Sequence, residues 1–179
     1  MKKKTIWDLH RDTPEEYRSR VKLPLVVVLD NVRSLNNVGA IFRTCDAFLV
    51  EKIMLCGITA TPPSQEIHKT ALGAEDSVEW EYCGSTMEAV RRLHEMGYTV
   101  CSLEQVEGSV MLQEFSPAPD ARYAIVLGNE VKGVEQSVVD SSDCCIEIPQ
   151  CGTKHSLNVS VSAGLAIWHF FSKMKFGDD

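Results

Sequence analysis

Three polar segments follow apolar runs in this chain, and each carries side chains able to bind or activate oxygen atoms. The first is NVRSLNNVGAIFR, residues 31–43, which leaves LPLVVVLD and enters a helical pattern. Ligands of α/β sheets bind beyond the carboxyl ends of strands. Asn37 is the expected cap of this helix, whose N-terminus attracts anions such as phosphate. Arg43 follows about two turns later, a guanidinium among Ala40, Ile41, Phe42 and Cys45. Its fork of donors suits phosphate or a developing oxyanion, and an ion pair with Asp46 or Asp30 accounts for it equally well. The second segment, LGNEVKGV at 127–134, places Gly128, Asn129, Glu130 and Gly133 after a strand. It is not a dinucleotide GxGxxG, because Glu130 holds the middle position and no acidic residue follows at the required distance. Glycines let backbone approach a ligand, which makes Glu130 a site candidate; a plain Gly-rich turn gives the same string. The third segment, IPQCGTKHSLNVSVSAG at 148–164, has Ser156 as the natural helix cap and Asn158 in the first turn. Asn158, Ser160 and Ser162 in an apolar helix need partners, from the fold or from a ligand. His155 beside Ser156 does not make a hydrolase: adjacent residues do not easily form a Ser–His pair, and no nucleophile elbow is present.

The elements that would position these segments alternate. Thr13-Pro14-Glu15-Glu16 starts a short helix to about Arg20 with a capping box. Strands are expected at 23–30, 52–55, 78–82, 98–103, 123–127 and 144–148, and helices at 37–48, 85–96, 134–139 and 156–173, with a short one before Lys69. The stretch 104–121 reads as a long loop. The last helix is apolar nearly all round, so it belongs in the core or against a second subunit. Alternating strands and helices indicate one α/β domain with a parallel sheet and helices on both faces.

Composition narrows the function. The 179 residues are 44% hydrophobic and 24% charged, which excludes disorder and low complexity. No run approaches the roughly 20 apolar residues of a membrane span, and no signal-peptide pattern precedes 23–29. Seven cysteines, an odd number without CxxC, point to a reducing cytoplasm and not to disulfides or zinc. The net charge of -7 argues against nucleic acid until it is partitioned. Residues 75–147 hold fifteen acidic and four basic side chains, whereas 1–22 hold seven basic and four acidic. Phosphate contacts can therefore come from Lys2, Lys3, Lys4, Arg11, Arg18, Arg20 and Lys22, beside Arg33, Arg43 and Lys154.

NVGAIFRTCDA, GNEVKGV and IPQCGTKHSLNVSVSAG, in this order on these elements, resemble the three motifs of SpoU/TrmH-type RNA 2′-O-ribose methyltransferases of the SPOUT class. The resemblance spans about 24–171, and TALGA at 70–74 also looks like the family's segment. Departures are Gln150 for the usual Met, Ser162 for Ala and Val134 for Leu. The resemblance implies a deep C-terminal trefoil knot built by the loops at 127–133 and 148–158. It implies S-adenosylmethionine as cofactor and no metal, with contacts from Leu103, Leu127, Gly128, Asn129, Gly133, Ile148, Gln150, Ser156 and Leu157. It gives Arg43 the activating role, oriented by Asn37, Glu130, Ser156 and Asn158; the charge partition adds Arg11, Arg18, Arg20, Arg33 and Lys154 as the expected RNA contacts. It implies a homodimer with the active site at its interface, to which the last helix with Trp168, Phe170 and Phe171 would contribute. Residues 1–22 form a helical extension and 23–179 the methyltransferase domain. The short extension, in place of a large N-terminal domain, favours tRNA over rRNA. A non-catalytic RNA-binding protein of the same fold and a nucleotide-binding α/β enzyme are the alternatives.

Overall fold

The computed structural model describes residues 1–5 and 12–177. Strands β1 (Leu23–Asp30), β2 (Val50–Cys56), β3 (Trp80–Cys83), β4 (Thr99–Leu103), β5 (Val110–Met111), β6 (Tyr123–Leu127) and β7 (Cys144–Glu147) pair in parallel throughout, in the order β3-β2-β1-β6-β4-β7-β5. Strand β6 thus enters between β1 and β4, and β7 between β4 and β5. Period-two alternation divides the side chains of the central strands between two cores. Leu25, Val27, Leu29, Ile125 and Leu127 face one, and Val26, Val28, Ala124 and Val126 the other. The first is covered by α1 (Pro14–Ser19), α2 (Leu35–Ala47), α3 (Gln65–Ala71), α4 (Ala74–Ser77) and α7 (Val159–Phe176). The second is covered by α5 (Thr86–Glu95) and α6 (Gln136–Ser141). Both faces being buried explains why β1 is apolar from Leu23 to Leu29. Among the described residues no helix is long and apolar enough to cross a membrane.

Several elements differ from the sequence expectation. Helix α2 starts before Asn37: Ser34 is its cap, with its Oγ accepting from the Asn37 N–H at 3.3 Å. Helix α7 starts after Ser156, and its cap is Asn158. The connection 104–121 is not structureless, since it contributes β5 at the sheet edge and a single 3-10 turn at Leu112–Glu114. His169 on α7 holds it through a 2.6 Å contact to the Phe115 carbonyl. Phe170 is not an interface residue: it is fully buried and packs on Phe115 and Tyr123, with ring centroids 5.4 and 5.3 Å away.

Helices α2 and α7 lie side by side and run the same way. Asn158 meets Asn37 at their first turns, and Trp168 meets Phe48 at 5.6 Å further along. Both N-termini therefore open at the carboxyl ends of the strands.

Candidate active site

The three polar segments converge through hydrogen bonds. The Glu130 carboxylate accepts from the Arg33 and Ser34 N–H groups and from Asn37 Nδ2, each at 3.0 Å. Asn37 Oδ1 accepts from Asn158 Nδ2 at 3.1 Å. Asn158 Oδ1 then caps α7, accepting from the Ser160 N–H at 2.9 Å, the Ser160 hydroxyl at 2.6 Å and the Val161 N–H at 3.3 Å. Asn158 and Ser160 thus find their partners inside the fold, and Ser162 lines the cleft. Burial pulls the Glu130 carboxyl up, but the Arg33, Ser34 and Asn37 donors outweigh it and hold the group below the usual carboxylate range.

The loop carrying Glu130 is braced on itself. Asn129 and Gly133 exchange two backbone hydrogen bonds of 2.9 Å, and Asn129 Oδ1 accepts from the Val131 and Lys132 N–H groups. Asn129 Nδ2 donates to the Asn31 carbonyl at 2.8 Å, which ties the loop to the exit of β1. Gly133 has φ +70°, and a Cβ there would lie 2.2 Å from Glu104 Oε2. A Cβ on Gly128 would meet the Gly133–Val134 backbone at 2.1 Å. Glu104, at the end of β4, accepts from the Val134 N–H at 2.9 Å and so closes the loop against the strand.

Between this loop and 148–158 lies a cleft of about 530 Å³ at the carboxyl ends of β6, β4 and β7. Leu103, Leu127, Gly128, Asn129, Gly133, Ile148, Gln150, Ser156 and Leu157 all line it, together with Glu130 and Asn158. Its charged lining is Glu104, Glu130 and Glu147 against Lys132, with His155 at the rim. Leucine and isoleucine side chains beside three carboxylates and one lysine suit a ligand with both an apolar part and positive charge.

Arg43 stands apart from this cleft. It is exposed, forms no hydrogen bond or ion pair with another described residue, and lines a separate cavity of about 470 Å³ with Lys69 and Thr70. Within the chain, none of the hydrogen bonds of Asn37, Glu130 or Asn158 reaches it. The ion pair to Asp30 is not made: that buried carboxylate is taken by the Thr86 hydroxyl at 2.5 Å, Asn31 Nδ2 at 2.9 Å and the Glu135 N–H at 2.8 Å.

The expected RNA contacts are dispersed. Arg33 is exposed beside the cleft, and Lys154 lies in the exposed 151–158 loop. Arg18 donates to the Asp76 carbonyl at 2.6 Å, Arg20 pairs with Asp12 at 2.8 Å, and Lys22 lies over the Tyr17 ring. Arg11 lies outside the described residues. Sequence reading missed Ser34, Glu104 and Lys69. Ser34 carried a cap signal, since Ser precedes a helical run; Glu104 and Lys69 carried none, because only the tertiary fold places them.

Residues 24–168 match the model of the SpoU rRNA Methylase family. The 23S rRNA (guanosine-2'-O-)-methyltransferase RlmB of Nitrosomonas europaea is 33% identical over 147 residues, 82% of this chain and 55% of its own length. The chain thus spans about half of that relative. The TrmH/SpoU tRNA modifying enzyme of A. aeolicus superposes with a TM-score of 0.79 at 26% identity, over 91% of this chain and 81% of that one. The AdoMet-bound rRNA methyltransferase from Sinorhizobium meliloti superposes with a TM-score of 0.75 at 25% identity, over 88% of this chain and 58% of that one.

Proposed function

Because the chain belongs to the SpoU rRNA Methylase family, we propose that it transfers a methyl group from S-adenosylmethionine to a ribose 2′-oxygen of RNA. The observation that carries the reading is the hydrogen-bonded chain from Arg33 and Ser34 through Glu130 and Asn37 to Asn158, at the mouth of an acidic cleft. It is what three separate sequence segments need in order to hold one reaction geometry. tRNA is the favoured substrate, in line with the TM-score of 0.79 to the A. aeolicus tRNA modifying enzyme.

Leu103, Leu127, Ile148 and Leu157 would hold the apolar part of S-adenosylmethionine, and Gly128, Asn129, Gly133, Gln150 and Ser156 its polar parts. Glu104, Glu130 and Glu147 favour a ligand with net positive charge. When bound, S-adenosylmethionine supplies a methyl group on an electron-poor sulfur, which leaves the protein to place the acceptor and steady its charge. Arg43 does the second task, by donating to the ribose oxygen as negative charge builds there and to a neighbouring phosphate. A guanidinium keeps its protons in proteins, so the reading casts Arg43 as a donor; the 2′-hydroxyl proton passes to solvent as the oxygen takes the methyl group and the neutral thioether leaves.

The separation of Arg43 from the cleft supports a homodimer in which one protomer's Arg43 completes the other's cleft. The face of α7 carrying Val161, Leu165 and Trp168 is exposed, and Trp168 packs on Phe48 beside the Arg43 cavity. The reading includes a trefoil knot at 127–133 and 148–158, supported by the insertion of β6 and β7 between earlier strands and by the cleft those two loops share. Residues 1–22 serve as an extension for RNA and 23–179 as the methyltransferase domain. Seven free thiols suit a reducing cytoplasm.

The test is methyl transfer from radiolabelled S-adenosylmethionine to unmodified tRNA and rRNA transcripts, with the modified atom mapped. Wild type is expected to label a ribose 2′-oxygen of tRNA. R43A is expected to lose at least roughly 100-fold in turnover and to bind S-adenosylmethionine as wild type does. Turnover retained by R43A removes the role of Arg43, and wild type that labels no RNA removes the reading.

A further inference from the structure

The cavity that holds Arg43 contains a second cation, Lys69. We infer that Arg43 and Lys69 form a two-point clamp for a phosphodiester of the RNA, which makes Lys69 a substrate-binding residue of the proposed methyl transfer; the inference rests on that reading.

Helix α3 is seated tightly against α2. A Cβ on Gly39 would lie 2.2 Å from the Ile67 carbonyl oxygen and 2.2 Å from Thr70 Oγ1, so only glycine allows this approach. The Thr70 hydroxyl donates to the Asn36 carbonyl at 2.9 Å and fixes the rotation of α3 about its axis. That rotation puts Lys69 and Thr70 on the wall facing Arg43. The cavity has two cations, the hydroxyl-bearing Thr44 and Thr70, an apolar floor of Ala40, Ala47 and Phe48, and no carboxylate. About 470 Å³ accommodates a nucleotide-sized group.

The chemistry of the two side chains is complementary. Arg43 has a planar fork without a partner among the described residues, and Lys69 offers a compact charge on a flexible stem. Lys69 is paired with Glu66 at 2.5 Å, but both side chains are more than half exposed and Glu66 does not line the cavity. Such surface pairs are weak and screened by salt, so a phosphate displaces the carboxylate readily. Lys69 also lines a second cavity, beside Trp80, Pro62 and Pro63, which holds the carboxylates Glu75 and Asp76; the carboxylate-free side of Lys69 is the one shared with Arg43.

The test compares wild type, K69A, K69R and E66Q in binding of an unmodified tRNA transcript between 50 and 200 mM salt, and in methyl-transfer kinetics. K69A is expected to weaken RNA binding and raise the RNA KM roughly fivefold to tenfold, with the salt slope lower by about 1. Its RNA KM changes more than its kcat, its affinity for S-adenosylmethionine stays at the wild-type value, and K69R recovers most of the binding. E66Q frees Lys69 and is expected to bind RNA at least as tightly as wild type. If Lys69 only braces α3 through Glu66, E66Q weakens RNA binding as K69A does, and the clamp is overturned. K69A with unchanged affinity and slope overturns it too, as does an effect confined to kcat. Wild type that transfers no methyl group to RNA refutes the proposed reaction instead, while the binding measurements still decide the clamp.

Discussion

Glu130 sits where three segments meet, and its ionised form is what they need. The Arg33 and Ser34 N–H groups and the Asn37 amide point at it, and against the opposing pull of burial they hold its pKa below the usual range. A carboxyl depressed in the folded state contributes stability that is complete above its unfolded pKa, about 4.3 for Glu. The contribution is lost as the pH falls through the folded value. Glutamine keeps one acceptor but turns an NH2 towards the donors that remain. E130Q should therefore be less stable than wild type at pH 7, and the gap between their urea midpoints should close as the pH falls below about 4. A gap that widens on acidification would show that the donors do not stabilise the charge. Asn37, Glu130 and Asn158 were legible in the sequence as polar residues at apolar junctions, but their roles were not. Both Ser34 and Asn37 are cap formers, as are Ser156 and Asn158. Backbone dihedrals, φ -81° and ψ 113° at Ser34 and φ -60° and ψ 137° at Asn158, decide between them, and those are set by the tertiary fold. The amide of Asn37 is free for Glu130 because Ser34 does the capping.

The elements follow the same division between what pattern fixes and what packing fixes. Long periodic stretches, β1, α2, β6 and α5, lie within a few residues of their expected places because both faces of each strand and one face of each helix must be buried. Helix α4 and strand β5, with four and two residues, carry too little periodicity to be read and exist because neighbours complete their hydrogen bonds. Helix α7 is the informative intermediate. Its sequence is apolar all round, yet only Val159, Ala163, Ala166, Ile167 and Phe170 are buried. Val161, Leu165 and Trp168 follow one another at helical spacing on the open side, and a Cβ on Gly164 would touch nothing within 4 Å. A strip of this kind on a helix end that also abuts the Arg43 cavity is suited to a second copy. Wild type should therefore sediment as a dimer. L165E, which buries its charge only in the dimer, should sediment as a monomer with unchanged far-UV circular dichroism and with methyl transfer abolished. A monomeric wild type, or a dimeric and active L165E, would remove α7 from the interface.

At the scale of the whole molecule the question is how a chain of net charge -7 would hold the RNA proposed as its substrate. The negative charge is concentrated in residues 75–147, and three of its carboxylates, Glu104, Glu130 and Glu147, serve the cleft, where a cationic ligand benefits from them. RNA would need the opposite field, and the exposed Lys2, Lys3 and Lys4 would supply it at the other end of the sequence. From Thr13 onward the extension is tied into the fold. Thr13 and Glu16 form a reciprocal capping box, Tyr17 is buried in the core with its hydroxyl 3.5 Å from the Cys45 carbonyl, and Arg18 holds α4. Removing all of 1–22 would therefore open the core and lower every affinity together, which makes it a poor measure of RNA contact. Replacing Lys2, Lys3 and Lys4 with Gln removes three charges from fully exposed positions and leaves α1 in place. For every phosphate no longer neutralised, the slope of log affinity against log salt should fall by roughly 0.7–0.9. The triple variant should thus bind an unmodified tRNA transcript more weakly at 50 mM salt, with a slope shallower by about 1–3, and should approach wild type as salt rises. Its affinity for S-adenosylmethionine and its melting temperature should not move, since neither the cleft nor the core is touched. A parallel drop in cofactor affinity, or an unchanged salt slope, would mean that the basic N-terminus acts on the fold and not on RNA.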